Sequence, residues 1–246
     1  MKALAINSSP RKGKGNTALI LNPFLEGMKE AGAEVELYYT SDLKINPCQG
    51  DISCWLKTPG ECIHKDDMSW LILKITQTDI LILASPVYCD GITGPMKMLM
   101  DRLMPGAEPF FEIREGHIRH LRRQKWNQSK KIVLVSNCGF WEMDNFDPLL
   151  VHIKAYSKNA GAEFAGALLR PHGPALRSMI EMGAPVEDVL EAAKDAGRQI
   201  IRDGNMSQYT LDRVSRELIP KDTYIHFANQ HFHEVLKKTE GQEQTP

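Results

Sequence analysis

The chain has 246 residues, of which 30 are Lys or Arg and 31 Asp or Glu, for a formal net charge of −1. That balance gives no global electrostatic ground for binding nucleic acid or a membrane surface, and no apolar run is long enough to span a bilayer. Five cysteines, an odd number in a chain of this length, do not make a secreted disulfide framework. An apolar strand that starts almost at residue 1 leaves no room for a signal peptide, so a cytoplasmic protein is expected. The length suits one α/β domain with an added element.

Strand and helix patterns alternate along the chain. Residues 2 to 7 predict a first strand, followed by a helix from about Asn16 to Ala31 with Leu21, Leu25 and Met28 on one face. Pro23 is awkward there. It removes a backbone hydrogen bond and crowds the turn before it, at a cost of about 3 kcal/mol in an ideal helix. A kink, or a helix that tightens only after Asn22, is expected. Glu34 to Tyr39 predicts strand two, Asp67 to Thr76 helix two, and Asp79 to Ala84 strand three. Pro95 to Met104 predicts helix three, Lys131 to Ser136 strand four, Phe146 to Ala160 helix four, and Ala162 to Leu169 strand five. Val186 to Arg202 is the fifth helix, opened by the start signal Pro185-Val-Glu-Asp. There is no internal repeat.

The loop after the first strand reads Ser8-Ser-Pro-Arg-Lys-Gly-Lys-Gly-Asn-Thr17. A strand that feeds a helix through small and basic residues makes an anion site. Free backbone N–H groups and the positive end of the helix dipole both face it. Gly13 and Gly15 let the backbone approach a ligand. Ser8, Ser9, Asn16 and Thr17 offer side-chain donors, and Arg11, Lys12 and Lys14 offer charge. The chain has neither Gly-x-x-x-x-Gly-Lys-Ser/Thr nor Gly-x-Gly-x-x-Gly, so it carries no P-loop and no dinucleotide fingerprint. The competing reading is a surface turn with solvated Lys and Arg.

The second informative loop, Ser85-Pro-Val-Tyr-Cys-Asp-Gly-Ile-Thr-Gly-Pro-Met96, follows a nearly all-apolar strand, as a central parallel strand requires. Pro86 stops the strand and Pro95 starts the next helix. Tyr88 and Cys89 are thereby placed at the carboxyl end of a strand, where open parallel sheets bind ligands. Met96, Leu99, Met100 and Leu103 recur at helical spacing and are read as core.

Together, Ser8-Ser-Pro-Arg-Lys…Gly15-Asn-Thr and Ser85-Pro-Val-Tyr…Gly91…Met96-Lys…Asp101-Arg resemble the NADPH-dependent FMN reductase superfamily, over roughly residues 2 to 200. The nearest branch is the iron–sulfur flavoproteins and their multimeric flavodoxin-like relatives without a cluster. The resemblance implies a flavodoxin-like, doubly wound parallel sheet of five strands in the order 2-1-3-4-5, with helices on both faces. It implies FMN at the carboxyl edge. The first motif, with Ser9, Arg11, Lys12, Asn16 and Thr17, is expected to hold the phosphate. Pro86, Val87, Tyr88, Cys89, Asp90 and Gly91 are expected along the isoalloxazine. In the third loop, Ser136-Asn-Cys-Gly-Phe-Trp141, the residues Ser136, Asn137 and Gly139 are expected at the ring edge. Phe140 and Trp141 either cover the flavin or nicotinamide site or plug the core or a subunit interface.

The implied activity is electron transfer from NAD(P)H through FMN to a quinone, a flavin or another acceptor. The flavin carries the hydride, and no side chain need act as acid or base. His64, His152 and His172 therefore receive no catalytic role. Backbone donors near Tyr88 to Gly91 are expected to stabilise negative charge on reduced flavin. The rival is an electron-transfer flavoprotein that never meets a nicotinamide.

Cluster-bearing relatives carry Cys-x-x-Cys-x-x-Cys and then a fourth Cys. Here Cys48, Cys54 and Cys62 match the first, third and fourth places, and Asp51 stands in the second. Clusters normally require four thiolates, so no cluster is expected. The cysteines are read as ordinary thiols in a loop inherited from a cluster-bearing fold, with a zinc site that includes His64 as an alternative.

Residues 105 to 131 break the alternation and hold Arg114, Arg119, Arg122, Arg123, Lys125, Lys130 and Lys131. The segment is read as an inserted hairpin or a lid over the flavin. Its basic residues form a solvated face or receive the extra phosphate of NADPH. Residues 1–205 are taken as the FMN domain and 206–246 as a helical extension. In the extension, Leu211, Val214 and Leu218 share one face, and Ile225, Ala228, Phe232 and Val235 another. Such faces must pack on the domain or on a partner, which favours a homodimer or homotetramer. Thr239 to Pro246 is expected to be disordered.

Overall fold

A strand that is apolar on both faces needs cover on both, and three strands of this chain are of that kind. In the computed structural model, which describes residues 1–123 and 130–242 (the last three through their backbone alone), they form the centre of one sheet. The chain runs β1 (Lys2–Asn7), α1 (Asn16–Glu30), β2 (Glu34–Tyr39), α2 (Ser53–Leu56), α3 (Met68–Thr76), β3 (Ile80–Pro86) and α4 (Gly94–Asp101). It continues through β4 (Ala107–Arg114), β5 (His117–Arg122), β6 (Lys131–Asn137), α5 (Asp147–Ala160), β7 (Glu163–Arg170) and α6 (Gly173–Glu181). It ends with α7 (Glu187–Arg202), α8 (Gln208–Ser215) and α9 (Lys221–Gln242).

The main sheet has the order β2-β1-β3-β6-β7, and all its pairs are parallel. Because β4 and β5 pair only with each other, this is the expected 2-1-3-4-5 topology. Alternation along each strand sorts side chains between two cores. Ala3, Ala5, Ile80, Ile82, Val133 and Val135 face α1 and α7. Leu4, Ile6, Leu81, Leu83, Ile132 and Leu134 face α3, α4 and α5. The register aligns the carboxyl ends, pairing Asn7 with Ala84, Pro86 with Asn137, and Asn137 with Arg170. The order in which strands are added reverses between β1 and β3, and a crevice opens at such a switch point.

Helices α1 and α7 cover the first face and meet through glycines. A Cβ on Gly27 would stand 1.8 Å from the Lys194 carbonyl oxygen, and one on Gly197 2.0 Å from that of Phe24. Ion pairs from Lys194 to Glu26 and Glu30, and from Arg198 to Glu30, flank the contact.

Several expectations change. Pro23 lies inside α1, which already runs from Asn16 rather than tightening after Asn22; Phe24, Leu25 and Met28 are buried just beyond it, and that packing offsets the lost hydrogen bond. Helices α2 and α6 lay outside the sequence reading, the first because it is only four residues long. The 105–131 insertion is a hairpin, with left-handed Glu115 and Gly116 at its tip. It is not a lid over the carboxyl edge. Arg114 donates to the Asn159 carbonyl at 3.0 Å and Arg122 to that of Gly161 at 2.8 Å, which seats it at the C-terminus of α5 beside the amino end of β7. These cations meet helix carbonyls, as the helix dipole favours. Lys125 and the tail beyond Gln242 lie outside the described residues.

Val214 of α8 is buried in the first core. Helix α9 keeps Ile225, Phe232, Val235 and Leu236 exposed. No helix among the described residues is long and apolar enough to cross a membrane.

Candidate functional site

The loop after β1 is tied down from its first residue. Ser8 N–H donates to the Ala84 carbonyl at 2.8 Å, and Ser9 N–H to Asn7 Oδ1 at 2.9 Å. A short 3₁₀ turn, Lys12–Lys14, then passes through Gly15 into α1. A Cβ on Gly15 would lie 2.3 Å from Ser9 Oγ and 3.3 Å from the Lys12 carbonyl oxygen, so a larger residue would displace the Ser9 hydroxyl. The start of α1 has no side-chain cap and no acidic residue in its first turn. Its terminal amides and its dipole are left for an anion. Asn7 Nδ2 is buried there without a partner.

The side chains of this loop divide. Arg11 is exposed. Lys12 pairs with Asp42 and Asn16 Oδ1 accepts from Arg177 Nε at 2.6 Å, so both have partners within the protein. Thr17 is buried and donates to Asn137 Oδ1 at 2.6 Å. That bond joins the first loop to the third. Arg177, on α6, also donates to the Lys14 carbonyl at 2.7 Å. Nothing near Arg177 in sequence signals this role, and the reading missed it.

In the second loop, Ser85 Oγ donates to the Pro86 carbonyl and accepts from Thr93 N–H at 3.1 Å, closing the loop on itself. Tyr88 and Gly91 exchange two backbone bonds of 3.0 and 3.1 Å. Between them Cys89 and Asp90 take φ of 47° and 61°, the left-handed pair of a tight I′-type turn. Val87 N–H donates to the Asn137 carbonyl at 2.9 Å. The amides of Val87, Tyr88 and Gly91 are thus used inside the protein, which narrows this turn's candidate donors to the tip amides of Cys89 and Asp90. Tyr88, Cys89 and Asp90 are exposed at the crevice.

In the third loop, Ser136 is buried and its Oγ donates to the Ser85 carbonyl at 2.7 Å. It braces the two loops. Gly139 is exposed, and its carbonyl accepts from Tyr224 of α9. Phe140 is 66% exposed. Trp141 instead stacks on His172 at 5.9 Å and 17° and donates to the Ile219 carbonyl at 3.1 Å. Phe140 is therefore available to a ligand and Trp141 is a plug. His172 accepts from Leu218 N–H through Nε2. Burial, with Arg170 beside it, pushes its pKa down to about 4, so the ring is neutral. Arg170, itself buried, donates to the carbonyls of Pro171, Val214 and Arg216. Together these contacts fasten the extension to the third loop.

The cysteine segment forms a separate feature. Cys48, Cys54, Cys62, Asp51 and His64 all border one small cavity of about 80 Å³. Burial, and then the neighbouring Cys62, Cys48 and Asp51, push the Cys54 thiol up. Among the described residues no three His, Cys, Asp or Glu side chains are placed to hold a metal ion. The buried Arg102 forms one wall. It grips Asp66 with bonds of 2.7 and 3.0 Å and donates to the Asn46 carbonyl at 2.6 Å.

A parallel sheet whose strand order reverses between β1 and β3, three loops at its carboxyl edge and an uncapped helix start define a flavodoxin-like α/β protein. The family of NADPH-dependent FMN reductases matches residues 1–127, just over half of the chain, and the chain belongs to that family. An iron–sulfur flavoprotein of Archaeoglobus fulgidus is 43% identical over 117 residues, which are 47% of this chain and 52% of that protein. The chain spans about half the length of the curated relatives it matches. An azoreductase from Bacillus anthracis superposes with a TM-score of 0.60 at 13% identity, over 82% of this chain and 99% of its own. An NAD(P)H:quinone oxidoreductase from Methanothermobacter marburgensis gives 0.58 at 17% identity, over 81% and 96%. At such identities the superpositions show the fold alone.

Proposed function

We propose that the chain binds FMN at the carboxyl edge of its sheet and passes electrons from NAD(P)H to a small acceptor, such as a quinone or a free flavin. The observation that carries this reading is the uncapped start of α1, reached through a loop that packs Gly15 closely against Ser9. The terminal amides of α1, with Ser9 and the exposed Arg11, suit a phosphate dianion. Lys12, Asn16 and Thr17 act one step back, holding the loop through Asp42, Arg177 and Asn137. When bound, FMN supplies hydride acceptance and electron release, and the protein supplies placement and electrostatics. Pro86 to Gly91 would lie along the ring, with Asn137 and Gly139 at its edge and Phe140 across it. The domain division is 1–205 for the cofactor and 206–246 for the extension that braces the third loop. The exposed stripe of α9 supports a homodimer or homotetramer.

Arg11→Ala tests the phosphate assignment. It should weaken FMN binding by about 1.5–3 kcal/mol, the scale of a charge-assisted hydrogen bond, or roughly ten- to hundredfold. Riboflavin, which has no phosphate, should be affected far less. Equal losses for both ligands in a fluorescence titration would remove the loop from phosphate binding.

The relatives' name supports a second reading, an electron-transfer flavoprotein without nicotinamide turnover. Steady NAD(P)H oxidation with a quinone separates the two. The residues of this chain do not fit the four-thiolate cluster of that name. Asp51 stands where the second thiolate belongs, and a carboxylate is a harder, weaker partner for cluster iron. Anaerobically purified protein should contain neither stoichiometric iron nor acid-labile sulfide, and finding both would overturn this. Asp51→Cys restores the fourth thiolate and should permit assembly.

A further inference from the structure

A cavity of about 580 Å³ lies away from the carboxyl edge, between the β4–β5 hairpin and helices α4 and α5. Its floor includes Leu81 and Ile132, near the amino ends of β3 and β6, so it opens on the other side of the sheet from the three ligand loops. The volume falls within the roughly 300–1,000 Å³ of small-molecule sites. Most of the lining is apolar, with Met100, Leu103, Phe111, Ile118 and Tyr156 among it.

Two features give the cavity a chemistry. His120 lies between Trp55, at 4.5 Å, and Phe111, at 4.8 Å, and all three border the space. The His120 Nδ1 is buried with no hydrogen-bond partner. A cluster of tilted aromatic rings beside an apolar space, with an unanswered polar atom, suits a planar ring that carries a polar group.

The second feature is charge. Lys97, Arg119, Arg122 and Lys130 border the cavity, and Asp101 is the carboxylate that borders it with them. Asp101 is matched by Lys97 at 2.5 Å. Arg119 is held by the neutral amide of Asn159. Burial pushes Lys130 down to about 8 although Asp79 opposes it, and burial with Arg114 nearby pushes Arg122 down although Glu112 opposes it. An anion beside Arg119 would add a charge-assisted partner to the neutral amide that holds it.

We propose that this cavity is a binding site for a small aromatic anion, a planar ring bearing a sulfonate or carboxylate, separate from the flavin edge. The ring would lie against Phe111 and His120, and the anionic group would meet Arg119. The site stands whether or not the cofactor reading above holds.

The test is calorimetric titration of the purified full chain with anilinonaphthalene sulfonate and with its uncharged analogue N-phenylnaphthylamine. One saturable sulfonate site per chain is expected. Ala155→Trp places a large side chain from the exposed surface of α5 into the cavity. It should weaken both probes by about tenfold or more without changing bound flavin. Arg119→Gln keeps the shape and removes the charge. It should weaken the sulfonate about three- to tenfold and leave the neutral amine unchanged. Sulfonate affinity unmoved by Ala155→Trp would overturn the site, and equal effects of Arg119→Gln on both probes would overturn the anion. Loss of binding in Ala155→Trp together with a change of mass in light scattering would also overturn the proposal, assigning the surface to contact between copies.

Discussion

Arg102→Ala is expected to lose about 3–5 kcal/mol of folding stability at pH 7, the scale for removing one partner of a buried ion pair. The Arg102 and Asp66 side chains are 1% and 3% exposed and joined by two bonds of 2.7 and 3.0 Å. Removing the guanidinium leaves the Asp66 carboxylate without its countercharge. The Asn46 carbonyl loses its donor too, so the loop that carries Cys48, Cys54 and Cys62 comes loose from the end of α4. The effect depends on pH in a definite sense. Burial opposes ionisation of Asp66, but the bonds from Arg102 and from the Asn46 and Met68 amides win, and its pKa falls from 3.8 to about 2. A carboxyl more acidic folded than unfolded adds stability fully above about pH 5. That contribution declines as pH falls through 3.8 and is gone below about 2. The gap between wild type and Arg102→Ala in urea unfolding should therefore be widest near neutrality and narrow between pH 4 and 2. A gap independent of pH would show that the pair does not set Asp66.

Gly27→Ala should cost about 2 kcal/mol net, although alanine is the better helix former by about 1 kcal/mol. The new Cβ would stand 1.8 Å from the Lys194 carbonyl oxygen. That atom is backbone and cannot swing aside, so α1 and α7 must separate. Overpacking of this kind costs about 1–3 kcal/mol and sometimes more, and here the buried Phe24, Met28 and Ala193 are drawn apart as well. For a chain of this size each kcal/mol lowers Tm by about 2–4 °C. Gly94→Ala, where a Cβ meets nothing within 4 Å, should stay within about 0.5 kcal/mol of wild type. A Gly27→Ala protein as stable as Gly94→Ala would show that the two helices can spread freely.

What the sequence determined by itself was local. Apolar runs at residues 2 to 7, 79 to 84 and 131 to 136 named the central strands, because a strand buried on both faces can tolerate little else. Pro95, Gly15 and the small and basic residues before Asn16 marked the ends of elements through the backbone preferences of neighbouring residues. From the strand ends came the three loops of the candidate site. Tertiary structure alone decided which side chains in those loops are spent on one another. Thr17 meets Asn137, Arg177 meets Asn16 and Lys12 meets Asp42, across separations that no local pattern encodes. Ser136 is spent on the Ser85 carbonyl, and Trp141 stacks on the buried His172 while its neighbour Phe140 stays exposed. The basic segment reads as a hairpin or a lid in one dimension; in three it is a hairpin at the amino edge, because its arginines find the carbonyls at the end of α5. Arg102, legible only as one residue of a motif, is the buried post of the cysteine loop. Steric and hydrogen-bonding limits on neighbouring residues suffice to place elements; the partner of a long polar side chain is settled only when distant elements pack and leave it one acceptor within reach.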